Sequence, residues 1–239
     1  MRRVVISQPM WFPWVGLLEQ IRLADVYVHY DDVQFSKGSF VNRVQLKGPH
    51  GVEWMTIPLE KLHLGQTIQE LQVRDTVPWR AHHLEQLERS FDGAPFAEDA
   101  WTLARAVLQT NTSSACDLVI ASLEALADYF DIGPRPLRHR SSTLGVPGRS
   151  SERVLATVRH FDGDVYVSGA GGRAYLDHEA FEAAGVRVEY MNYLKLAYPQ
   201  GHGAFTPFVS SLDLIAHRGR DGRANLASES VYWKELPSP

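Results

Sequence analysis

Between Val4 and Tyr30 two short apolar runs flank one helical pattern, and that spacing restricts the architecture more than any other stretch of the chain. Val4-Val-Ile-Ser7 stops at Gln8-Pro9 and reads as a buried strand whose carboxyl end opens into a loop. Pro13 suits the first turn of a helix, where its missing N–H would be unpaired anyway, and Trp14, Leu17, Leu18 and Ile21 then share one face. Val26-Tyr-Val-His-Tyr30 follows as a second strand. Strands joined through so short a helix run parallel in a right-handed β-α-β unit, and in such sheets ligands sit beyond the carboxyl ends of the strands.

A second unit is written later. Val165-Tyr-Val167 stops at Ser168-Gly169, passes the bend Gly169-Ala-Gly-Gly-Arg173, and restarts as an amphipathic pattern with Tyr175, Leu176, Phe181 and Ala184 before the strand Arg187-Val-Glu-Tyr-Met191. A strand that turns directly into a helix presents unpaired N–H groups and the positive end of a dipole, a site for phosphate or carboxylate to which Arg173 would add charge. The alternative is a tight turn that needs glycine only for its backbone angles. Gly169, Gly171 and Ala174 also satisfy G-x-G-x-x-A, with Glu189 twenty residues beyond Gly169. The bulky Arg173 and Tyr175 at the helix start, and the short remainder of the chain, argue against a dinucleotide fold. No cofactor is expected.

Between the two units, Val41 to Leu46 and Glu53 to Ile57 alternate around the turn signal Lys47-Gly-Pro-His-Gly51 and predict a hairpin. Ile68 to Val73 reads as a further strand, Trp79–Phe91, Asp99–Gln109 and Ser114–Phe130 as helices, Leu137 to Ser142 as a strand and Ser151–His160 as a helix. A proline- and glycine-rich loop from Tyr198 to Pro207 closes on a short helix from Ser211 to Ala216. The resulting expectation is an α/β fold, a Rossmann-like three-layer parallel sheet with an inserted β-hairpin and a helical middle region. One domain would span 1–217, with a helical insertion at about 78–132 and a polar, loosely held tail at 218–239.

Bulk properties narrow the function classes. A net charge of −4 with scattered Lys and Arg offers no nucleic-acid surface. One cysteine, Cys116, excludes an internal disulfide framework and a cysteine-based zinc site, and it reads as a small buried apolar residue. His82-His83 lie on different faces of their helix, without HExxH spacing, so no metal is expected. No run approaches the roughly 20 apolar residues that span a bilayer, which predicts a cytoplasmic protein with no membrane partner.

Taken in order, several segments resemble the WbqC-like protein family: Gln8-Pro-x-x-Phe-Pro-Trp14-x-Gly16, Asp31-Asp-Val-Gln-Phe35, Asn42-Arg43, Trp54-Met-Thr-Ile-Pro58, Trp79-Arg80 with His83, Ser168-Gly-x-Gly-Gly172 with Tyr175-Leu-Asp177, Tyr198-Pro-Gln200, and Ser211-Leu-Asp-Leu214. The chain departs from the family pattern at Phe208 and His217, where relatives carry asparagine. The resemblance implies a biosynthetic role in surface-polysaccharide or specialised-metabolite pathways, and a small-molecule substrate, free or presented on a carrier. It leaves the oligomeric state open.

Motif residues at strand ends and loops make the candidate site: Gln8, Trp11, Gln34, Asn42, Arg43, Gly169, Gly171, Gly172, Arg173, Tyr175, Gln200 and Asp213 for binding, with His83 as general base, Asp32 as its partner and Ser168 as a nucleophile. The leading reading is an enzyme that moves an acyl or aminoacyl group, or hydrolyses it. A nucleotide or nucleotide-sugar binding transferase and a non-catalytic scaffold for a biosynthetic partner are the alternatives.

Overall fold

The computed structural model describes residues 1–133 and 139–236. Six strands form the main sheet: β1 (Arg3–Ser7), β2 (Val26–His29), β5 (His139–Arg140), β6 (Val165–Ser168), β7 (Arg187–Asn192) and β8 (Glu229–Tyr232), in the order β5-β2-β1-β6-β7-β8. All neighbours are parallel except β8, which runs antiparallel to β7. A separate antiparallel pair, β3 (Arg43–Gly48) and β4 (Gly51–Thr56), forms the hairpin, closed by Pro49-His50. This is the Rossmann-like α/β arrangement that the sequence predicts.

The strands read as unbroken apolar runs because both faces are covered. Val5, Tyr27, Val165 and Val167 point into one apolar cluster, which they share with Leu17, Leu18 and Ile21 of α1 (Val15–Leu23) and with Leu118, Leu123 and Leu126 of α4 (Ala115–Phe130). Val4, Ile6, Val26, Val28, Tyr166 and Val188 point into the other. There they meet Val154 and Val158 of α6 (Ser150–His160) and Phe181 of α7 (His178–Ala183). The alternation of faces along each strand gives three layers. The remaining helices are α2 (Trp79–Ser90), α3 (Ala97–Leu108), α5 (Ser141–Leu144) and α8 (Ser211–Arg218).

Four local expectations are corrected. Ile68–Glu70 is a 3-10 turn rather than a strand, because Thr67 and Glu70 form a reciprocal capping box that starts a helical turn. Of the expected strand over 137–142, β5 retains His139 and Arg140, Ser141 begins α5, and Leu137 and Arg138 lie outside the described residues. After β6 the glycine bend continues as a 3-10 turn, Ala170–Ala174, not as an α-helix. The α-helix starts only at His178, where the Asp177 carboxylate accepts the Ala180 N–H at 3.1 Å. The described residues after Arg218 form no loose tail either: Gly219, Gly222 and Asn225 are buried, and β8 covers the free edge of β7.

Candidate functional site

β1, β2 and β6 end on the same side of the sheet, and a cavity of about 830 Å³ opens there. Ser7 and Gln8 enter it from the end of β1, Tyr30 from the end of β2, and Ser168 through Gly172 from the end of β6. Gln20 of α1 and Ser150 of α6 contribute from the two helix layers, and Trp14, Tyr193, Lys195 and Phe208 form an aromatic and cationic rim. The opening amide loop and the late glycine bend therefore face one hollow.

Local chemistry explains how these groups are held. Gly169 has φ −76° and ψ 166°, open to any residue, so its identity is set by crowding: a Cβ there would lie 2.9 Å from Gln20 Nε2. At Gly172 a Cβ would come within 2.3 Å of Ser168 Oγ. Gly171 differs, since a Cβ would meet no protein atom within 4 Å. Gln20 Nε2 donates to Tyr193 Oη at 2.7 Å and fixes that phenol at the cavity wall, where burial pushes its pKa up. Trp14 packs on Tyr193 and Phe208 with ring centroids 5.0 and 5.7 Å apart. One residue of the loop is strained: Phe12, directly before Pro13, has φ +35°, a region that bulky residues avoid. Its N–H donates to Ser122 Oγ at 3.0 Å, and Ser122 Oγ donates onward to Val119 O at 2.7 Å. Ser122→Ala is expected to cost about 1–2 kcal/mol in chemical denaturation, since it strands a buried N–H that pins a strained residue.

Six of the sequence candidates line the cavity: Gln8, Ser168, Gly169, Gly171, Gly172 and Tyr175. The others lie elsewhere. Arg173 is not among the residues that line the cavity and sits 5.4 Å from the Tyr190 ring, and with a 3-10 turn in place of an α-helix the expected dipole site is absent. Trp11 is fully buried against Phe12 and is core. Gln34 is exposed and bridges to Thr67. Asn42 Nδ2 donates to Ile57 O at 2.9 Å, and Arg43 lies over Trp54 at 4.1 Å, so both organise the hairpin. Gln200 and Asp213 belong to a strap that fastens the loop after β7: Tyr198 Oη donates to Asp213 Oδ1 and accepts from Gln200 Nε2, while Lys47 Nζ donates to Gly203 O, Ala204 O and Gln200 Oε1.

The three candidate catalytic groups do not assemble. Ser168 Oγ donates to Gly169 O at 3.2 Å, and Asp32 accepts from Ser141 Oγ at 2.6 Å and pairs with Arg153. His83 Nε2 instead donates to Thr56 O at 3.1 Å on the outer edge of the hairpin, and burial pushes its pKa down to about 4, which leaves it neutral. No histidine, carboxylate or thiol lines the cavity among the described residues. Nor do the described residues hold a group of three or more His, Cys, Asp or Glu placed to bind a metal, or a helix long and apolar enough to cross a membrane.

Sequence reasoning missed Trp14, Gln20, Tyr30, Tyr193 and Lys195 as site residues. Applying the carboxyl-end rule to β7 as well as to β1 and β6 would have found Tyr193 and Lys195. Gln20, 5% exposed in the middle of an apolar helix, carried no periodic signal.

Fold and site together define an α/β protein with a polar, aromatic-walled cavity at the carboxyl edge of a Rossmann-like sheet. The chain belongs to the WbqC-like protein family, whose model matches residues 8–225. It is 31% identical over 224 residues to the "Uncharacterized protein Rv1507c" of Mycobacterium tuberculosis, covering 92% of this chain and 96% of that one. No solved structure matches it.

Proposed function

We propose that this chain is a biosynthetic transferase whose cavity binds a phosphate-bearing activated small molecule, a nucleotide or nucleotide-sugar. The observation that carries the reading is the makeup of one cavity: the glycine loop after β6, Lys195, an aromatic rim of Trp14, Tyr193 and Phe208, and no lining carboxylate. Ala170 and Gly171 open a 3-10 turn, so their N–H groups have no acceptor within it. Gly172 N is already committed to Gly169 O at 3.0 Å. Two free amides and an ammonium suit phosphate oxygens, and the rim offers flat faces to a base or a sugar ring. Acyl transfer by a His83–Asp32–Ser168 machinery is the weaker reading, because those groups are separated and nothing lining the cavity serves as a general base at neutral pH. A transfer in which phosphate itself leaves makes a smaller demand on such a base.

Titration calorimetry against nucleotides, nucleotide-sugars and acyl thioesters tests this. Saturable binding of nucleotides is expected, weakened roughly tenfold or more by Gly171→Ala and by Lys195→Ala. The Gly171 methyl would enter open space, so the variant should melt like the parent while losing ligand. Binding of thioesters without nucleotides would restore the acyl-transfer reading.

A further inference from the structure

Just past the end of β7, Tyr193 meets Gln20 of α1 at the wall of the large cavity, and both residues line it. Gln20 is an amide buried in the middle of an apolar helix, and its Nε2 donates to Tyr193 Oη at 2.7 Å. A phenol that accepts a bond still has its own hydrogen to give. Among the described residues that hydrogen has no acceptor. Burial raises the Tyr193 pKa, so the hydrogen stays in place at neutral pH. A buried amide that orients a phenol whose donor is unspent is the arrangement by which proteins hold a ligand-contacting group ready.

Position decides which part of a ligand this donor meets. A Cβ on Gly169 would lie 2.9 Å from Gln20 Nε2 and 3.6 Å from Tyr193 Oη, so the phenol oxygen sits against the backbone of the glycine loop. The free amides of Ala170 and Gly171 follow in the next two residues, and Lys195 lines the same cavity. Trp14 already packs against the Tyr193 ring, with centroids 5.0 Å apart, which leaves the hydroxyl as the part of Tyr193 that a ligand finds unengaged. We propose that Tyr193 is a ligand-binding residue that donates its hydroxyl hydrogen to a phosphate oxygen held on the glycine loop, and that Gln20 is the residue that positions it. The inference rests on the reading of this cavity as a phosphate site and adds a neutral, directional donor to the two amides and Lys195.

Calorimetric titrations of the full chain with inorganic pyrophosphate, with nucleoside 5′-diphosphates and with the same nucleosides lacking phosphate provide the test. Tyr193→Phe removes one oxygen and keeps the ring. It should weaken pyrophosphate and nucleotide binding roughly tenfold and leave nucleoside binding unchanged. Gln20→Leu should weaken the same two ligands when introduced alone and add nothing in a Tyr193→Phe background, because Gln20 acts through the phenol. Melting temperatures check that each variant folds. Gln20→Glu leaves Tyr193 in place and takes up its hydrogen, so it serves as a further variant that should lose phosphate ligands. The proposal is overturned if Tyr193→Phe binds pyrophosphate and nucleotides as the parent does, if it weakens nucleosides as much as nucleotides, or if Gln20→Glu keeps the parent's affinity. A parent that binds no phosphate ligand at all overturns the phosphate reading together with this one; a parent that binds them, beside a Tyr193→Phe variant of equal affinity, overturns this inference alone.

Discussion

Asp31→Ala should destabilise the fold by about 3 kcal/mol, which for a chain of this size lowers the melting temperature by roughly 6–10 °C. The Asp31 side chain has no exposure, and its carboxylate accepts three bonds: Arg140 Nε at 2.6 Å, Ser142 N at 3.0 Å and Ser142 Oγ at 2.9 Å. Those donors belong to β5 and to the start of α5, so one carboxylate fastens the edge strand to the end of β2. Deleting it strands a buried N–H and a guanidinium, although Arg140 keeps Asp117 at 2.7 Å and part of its solvent, which limits the loss. Burial alone would push the Asp31 carboxyl up, but the bonds from Ser142 and Arg140 outweigh it and hold the pKa below the usual range. A depressed carboxylate stabilises the folded state fully above its unfolded value, about 3.9, and loses that contribution as pH falls through the folded value. Urea unfolding of the parent and of Asp31→Asn should therefore differ most at neutral pH and converge in acid. A difference independent of pH would show that the carboxylate's charge does not matter.

Gly16→Ala should fold and yet lose ligand. A Cβ at this position would lie 2.2, 2.4 and 2.6 Å from three atoms of the Trp14 indole, which folds back over the first turn of α1. Alanine improves the helix by about 1 kcal/mol, so the local backbone gains while the indole is expelled from its place against Tyr193 and Phe208. Trp14 walls both the large cavity and the small cleft behind it, so moving it reshapes the rim. A loss of nucleotide affinity of roughly tenfold or more with an unchanged or raised melting temperature is expected. Equal affinity in parent and variant would remove the aromatic rim from the binding argument.

The sheet was legible because its strands are short, apolar and joined by amphipathic helices, and periodicity reports that pattern directly. Val4–Ser7, Val26–Tyr30, Val165–Ser168 and Arg187–Met191 all appear within a residue or two of their expected positions. The hairpin was legible from its turn chemistry. Local competition was harder to see: Thr67 with Glu70 and Asp177 with Ala180 redirect the chain through single side-chain bonds that weigh little in a window of residues. β8 was hidden because Glu229-Ser-Val-Tyr232, paired edge to edge with β7 at the end of the sheet, has no buried residue and a polar character overall. In the site, Gln8 and the glycine loop could be placed by the carboxyl-end rule. His83 could not, since a histidine beneath a hairpin edge and a histidine in a cleft look alike until the partner of its Nε2 is known.

The order of strands also bears on how the molecule is made. β1 can pair with β2 as soon as the first thirty residues exist, but its other edge waits for β6, where Arg3 lies opposite Val165. A nascent chain leaving the ribosome therefore carries an open, apolar strand edge through the synthesis of the hairpin and of helices α2 to α6, the kind of edge that invites mispairing and chaperone capture. The cavity beyond β6, whose walls come from Ile6 at one end of the chain and Phe208 at the other, can close only after nearly the whole polypeptide has emerged.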